Sequence, residues 1–306
     1  MLSADPGALA VTGGAQVASV AAVPGSATGS AAAARVLGVG ERVGVTGEVG
    51  VWVPRLTGTA QVGTGGTQFQ LNQDLGVGEG NAGIAGEFGV WVDRWRFGGM
   101  GFAVNGGETQ SADAAGTFGS TAIALGDSIT GSFSAWMAGA EAAYVLWRPM
   151  ADEPWPWSAA GDNRDAATKA MGSDGFPRFD VRVLLLGGAL AFHYDQELTN
   201  RSTGSSSSFD RTVACVYGGA GLDIQLGFEG RVPLVRAVRI YANAGVGPSI
   251  PDLETVWMVR VGFAFLIDDS IGAEFGYRLF DFDLVDGPSE VDGGLRGLFG
   301  GVTIRF

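Results

Sequence analysis

Between residues 41 and 306, apolar side chains alternate with small or polar ones in run after run, and this period of two constrains the fold more than any other feature. Period two places successive side chains on opposite faces of a strand. In the first run Val43, Val45, Val49, Val51 and Val53 share one face, and Gly44, Thr46, Glu48, Gly50 and Trp52 the other. The pattern returns with Ala82, Ile84, Phe88, Val90 and Val92 opposite Gly83, Ala85, Glu87, Gly89 and Trp91, then with Met100, Phe102 and Val104 opposite Gly99, Gly101 and Ala103. Further strands are expected over about 129–147, 178–194, 212–228, 236–247, 255–267, 271–283 and 295–306, which makes ten. Most exceed the roughly 9–11 residues that cross a bilayer at a tilt. A barrel standing in water would carry Lys, Glu and Thr on its second face. This chain has one Lys, Lys169, against 52 Gly, and only 17% of its residues are charged. An apolar outside against lipid and a mixed interior fit better, and in lipid the sheet must close to satisfy its backbone. The expected fold is all-β: a closed antiparallel transmembrane β-barrel of about ten strands, or eight or twelve if a connection hides a hairpin or a weak strand fails. A soluble secreted β-sandwich is the competing architecture.

Composition excludes other classes. With 46% hydrophobic residues the chain is too apolar for intrinsic disorder, and with one cysteine it is no disulfide scaffold. A net charge of −13 without a basic cluster argues against nucleic acid as a partner. No run of 18 apolar residues occurs, so no transmembrane helix is expected. Residues 1–40, nearly all Ala, Gly, Val and Ser, read as an export signal or a flexible lead, although a basic start is missing. The barrel is expected over 41–306, with a Pro- and Trp-rich insertion at about 148–178 that carries a short helix near Asp162 to Met171. Connections at 93–95, 229–235 and 268–270 are tight on one side, while 54–80, 107–128 and 195–211 read as long loops on the other. That asymmetry fits periplasmic turns and extracellular loops. Trp95, Trp147, Phe228, Phe265 and Phe306 fall at the turn ends of their strands, as an interfacial girdle requires.

The inward face is expected to hold Glu48, Glu87, Glu141, Asp180, Asp223 and Glu274 together with Arg182, Arg239, Arg260 and Arg278. Buried charges need partners, so these form either a salt-bridge network that plugs the lumen or the lining of a narrow passive pore for ions or small solutes. Catalysis is not expected. The one alternative is His193, the only His, with Asp195 two residues on and Ser205 to Ser208 following. By parity His193 points toward lipid or the interface. Cys215 reads as a small packing residue. One His and one Cys without ligand spacing give no metal site, and no cofactor is expected.

The chain ends Gly300-Gly301-Val302-Thr303-Ile304-Arg305-Phe306, an alternating strand closed by an aromatic residue. Before it stand Gly272-Ala273-Glu274-Phe275-Gly276-Tyr277-Arg278 and Phe280-Asp281-Phe282, and residues 67–76 read Thr-Gln-Phe-Gln-Leu-Asn-Gln-Asp-Leu-Gly. These segments resemble the last strands and first loop of bacterial outer-membrane β-barrels, the OmpA- and OmpW-like small barrels in particular. The resemblance implies a location in the outer membrane, a bilayer around the barrel, and assembly by the barrel machinery with Phe306 as its signal. It implies no substrate. Omptin proteases and lipid A-modifying hydrolases also place His with Asp or Ser near the outer rim, which is what a catalytic role for His193 and Asp195 would resemble.

Overall fold

A computed structural model describes residues 43–78, 80–149, 179–228, 234–251, 254–267 and 270–305. Its strands are β1 (Val43–Gln61), β2 (Phe69–Gln70), β3 (Gly83–Val92), β4 (Trp95–Ser111), β5 (Gly116–Phe118), β6 (Thr121–Ile123), β7 (Ser128–Trp147), β8 (Phe179–Asn200), β9 (Ser205–Gly227), β10 (Ala237–Ile250), β11 (Thr255–Leu266), β12 (Ile271–Asp286) and β13 (Ser289–Arg305). The long strands pair antiparallel in chain order, and β13 returns to β1 from Thr46 opposite Arg305 to Gln61 opposite Glu290. Ten strands thereby close into a barrel, β2 is a short addition to β1, and β5–β6 form a separate hairpin. Closure leaves no sheet edge, and it overturns the β-sandwich alternative.

The outward face carries a belt of exposed apolar side chains, among them Val49, Val51, Ile84, Phe88, Leu185, Phe263, Phe275 and Leu298. So much contiguous apolar surface is a lipid-facing belt, because water would drive it to be covered. At the belt edge near the short turns, Trp95, Trp147 and Phe265 are exposed, and Trp95 packs against Tyr144 with ring centroids 4.8 Å apart. A bulge between Val145 and Trp147 turns Leu146 and Trp147 both outward. Phe228 is half-buried at that end. Phe306, residues 1–40 and most of the 148–178 insertion lie outside the described residues.

Polarity inverts along the strands. On β8, Val181, Val183 and Leu185 face out near the turns while Asp180 and Arg182 are buried inside; further along, His193, Asp195 and Glu197 face out while Phe192, Tyr194 and Leu198 are buried. β12 changes the same way, from outward Phe275 and inward Glu274 to outward Asp281 and inward Phe282 and Leu284. Length supplies the reason. The 22 residues of β8 span about 70 Å at ~3.3 Å each, which at a tilt of about 45° rises about 50 Å against a hydrocarbon core of ~30 Å. The far half stands beyond the bilayer and obeys the rule for proteins in water, with apolar residues inside.

This inversion corrects two expectations. Met100, Phe102 and Val104 do not face lipid: Phe102 and Val104 are buried in the lumen, Met100 packs beside them, and Gly99, Gly101 and Ala103 form the wall. The connection expected over 195–211 is mostly strand, shortened to a turn at 201–204. Serine- and acid-rich sequence reads as loop, but here it is the water-facing side of paired strands.

Candidate functional site

The lumen is the only place where functional side chains converge among the described residues, and it has two layers. The layer level with the belt is ionic. Cross-strand register sets Glu48 opposite Glu87 on one wall, and Arg260 opposite Arg278 on another. Like charges directly opposed repel, so each wall requires the other. Arg260 crosses the lumen to Glu87, with Nη2 2.8 Å from Oε1, and its Nη1 lies 3.5 Å from Glu48 Oε2. Arg239 donates to Glu48 at 2.9 Å and to Asp223 at 2.9 Å. Arg96 joins Glu87 at 2.9 Å to Glu141 at 3.1 Å, and the Tyr217 hydroxyl donates to the other Glu141 oxygen at 3.1 Å. Nearer the turns, Asp180 accepts from Arg182 Nε at 2.7 Å and from Arg148 at 2.8 Å. The Tyr241 hydroxyl donates to buried Glu274, and the Tyr241 ring lies under both Arg260 and Arg239, 4.6 and 5.1 Å from ring centroid to guanidinium carbon. Wall glycine makes that ring fit: a Cβ on Gly262 would stand 2.6 Å from the Tyr241 hydroxyl.

Of the ten charged residues read as inward, Glu48, Glu87, Glu141, Asp223, Glu274, Arg239 and Arg260 join one network through Arg96 and Tyr241, Asp180 pairs with Arg182 and Arg148 in a group nearer the turns, and the Arg278 guanidinium lies over the Phe299 ring at 3.9 Å. The sequence reading missed Arg96, Tyr217 and Arg305. Arg305 is buried beside Arg182, Asp223 and Arg239. Parity was signal enough for Arg305, two residues from Thr303. Arg96 lies in the first turn-side residues of β4, ahead of the clear alternation that starts at Gly99.

Above the ionic layer the lumen is apolar. Trp52, Phe102, Phe280, Phe192, Phe282 and Tyr194 form a run of ring contacts, with successive centroids 4.9, 5.5, 4.7, 4.7 and 5.2 Å apart. The segment after β1 covers this column: Phe69, Leu71, Leu75 and Val77 are buried in the same core, joined by Phe118 from β5 and Ile123 from β6. Backbone bonds tie the cover down, Leu71 N to Gly58 O at 3.0 Å, Glu108 N to Gly76 O at 2.9 Å and Thr67 N to Thr117 O at 2.9 Å. At Gly131 on β7, a Cβ would meet the Leu75 carbonyl oxygen at 2.1 Å, so only glycine admits the segment there.

His193 and Asp195 stand on the outer wall, away from both layers. His193 stacks on Trp136 at 5.7 Å, shares a hydrogen bond of 2.9 Å with Thr212, and lies 3.8 Å from Asp210. Asp195 is opposite Asp210 in register, and partial burial and that neighbour raise its pKa. Of the serines, Ser207 turns instead to Ser120 and Thr121. No serine nucleophile meets the histidine among the described residues. Cys215 is buried in the apolar core, and no group of His, Cys, Asp and Glu could hold a metal among the described residues.

No protein-family model matches the chain, and neither does any curated protein sequence. Solved structures do. The outer membrane protease OmpT from Escherichia coli aligns over 86% of this chain and 97% of its own, with 9% identity and a TM-score of 0.43. Ail, the attachment invasion locus protein of Yersinia pestis, aligns over 87% and 99%, with 12% identity and a TM-score of 0.35. The Pseudomonas putida toluene transporter TodX aligns over 86% and 89%, with 11% identity and a TM-score of 0.28. These are proteins to which this chain is similar at low identity, and OmpA- and OmpW-like barrels are not singled out among them.

Proposed function

We propose that this protein is a structural barrel of the bacterial outer membrane that conducts no solute and holds a rigid, water-facing extension above the bilayer. The observation that supports the reading is the filled lumen: ion pairs at the level of the belt and an aromatic core with its own cover above them. A water-filled pore needs a continuous polar path, and the apolar layer interrupts it. Ten strands lie near the size at which side chains still fill a barrel. The porin-like alternative would need both layers to part. A hydrolase using His193 and Asp195 has less support, because the pair lies on the outer wall. Planar-bilayer recordings on refolded protein, with closure verified by a heat-dependent gel shift, test the proposal. Silence from folded barrels is expected. Discrete, reproducible steps would overturn the proposal and favour the pore.

A further inference from the structure

Between the two layers lies a cavity of about 80 Å³ with walls of opposite character. Trp52, Phe102, Phe280 and Met258 make an apolar side, and the polar one holds Arg260 and Arg278 with Glu87 and Glu141, two carboxylates already held by Arg96 and Arg260. Arg260 is engaged by Glu87. Arg278 is different: no carboxylate pairs with it among the described residues, its Nε and Nη2 are buried without an acceptor, and it rests over the Phe299 ring. An unmet buried cation is costly; Arg260 also keeps a buried Nε without an acceptor, but its charge is met by Glu87 and Glu48. A guanidinium fork facing an apolar pocket is the chemistry that recognises a carboxylate on an apolar body.

We propose that this cavity binds a small organic monocarboxylate, with its carboxylate on Arg278 and its apolar body against Phe102, Phe280 and Met258. Size sets the class. At about half the ~150 Å³ that holds benzene, the volume admits a short aliphatic acid and excludes a ring or a lipid chain. Apolar walls favour such an acid over inorganic phosphate, which has no surface to bury there.

The test uses 3,3,3-trifluoropropionate followed by fluorine NMR on the full chain, refolded in detergent with the probe present so that slow entry does not limit occupancy. Saturable binding is expected, with a rise in the unfolding midpoint that grows with probe concentration. 3,3,3-Trifluoropropan-1-ol, which keeps the apolar body and loses the charge, is expected to bind at least about tenfold more weakly. Arg278→Gln is expected to lose a similar factor. Should that variant fail to fold, Met258→Phe, which keeps both arginines and fills the apolar side, is expected to weaken binding instead. Absence of bound probe in folded wild type overturns the proposal. So does equal binding by the alcohol, by folded Arg278→Gln, or by Met258→Phe.

Discussion

Glu87 shows how much one lumen carboxylate holds together. It accepts from Arg96 and Arg260, which also bind carboxylates of two other strands, Glu141 and Glu48. Glu87→Gln keeps the shape and removes the charge, leaving two guanidinium groups short of an anion inside the belt. Breaking a buried pair from one side costs about 3–5 kcal/mol, and urea unfolding in detergent is expected to show a loss of that order. Asp283 gives the opposite sign. It lies on β12 beyond the belt, where partial burial and the charges of Glu254, Glu290 and Asp292 push its carboxyl up to about 6. The folded chain therefore keeps a proton that the unfolded chain, at about 3.9, has released. That contribution to stability is present in acid and is lost as pH rises from about 4 through about 6. Asp283→Asn is expected to raise the unfolding midpoint at about pH 7.5, to leave it nearly unchanged at about pH 4, and so to flatten the profile.

At the scale of the element, the segment between β1 and β3 is the piece most easily mistaken for a mobile loop. Its Gly- and Gln-rich sequence looks unstructured, yet Phe69, Leu71, Leu75 and Val77 are buried. Close approach at Gly131 is what seats it. Gly131→Val is expected to force Leu75 away and destabilise the far half by about 1–3 kcal/mol. Limited proteolysis of the folded barrel reads this directly: the wild-type segment resists cleavage between Phe69 and Leu75, and the variant is cut there. Strand length is concealed in the sequence for a related reason. Hairpins such as β8–β9 continue past the belt, and their outward positions there hold Ser, Thr and Asp, which suit water as well in a strand as in a loop.

For the whole molecule, the inversion of polarity along the strands divides the barrel into a lipid-surrounded half and a water-surrounded half. Tryptophans mark the two faces of the lipid-surrounded half. Trp147 is exposed at the near edge of the belt, whereas Trp52 is buried in the lumen. In lipid vesicles with brominated acyl chains, a variant keeping Trp147 as its only tryptophan is expected to be strongly quenched. One keeping only Trp52 is expected to retain most of its emission. Equal quenching would contradict the assignment of faces. Ions and aromatic rings fill successive levels of the same tube, and this filling distinguishes a structural barrel from a channel.

Alternation alone showed the ten long strands and grouped most of the inward charges on one face of each, because a period of two ties every side chain to one of two faces; closure came from the pairing of β13 with β1. Alternation determined Glu48 and Glu87 as inward, and Arg260 and Arg278 as inward, each from its own strand. Only the tertiary structure decided that these two pairs are adjacent in register and that Arg260 crosses to Glu87 while Arg278 faces an apolar pocket. Register and distance across the lumen arise from pairing between strands far apart in sequence, which local alternation does not encode. The structure alone also decided which face of Phe102 and Val104 is inside. Parity defines two faces but not which one meets lipid, and that depends on how far along the tilted strand the bilayer ends.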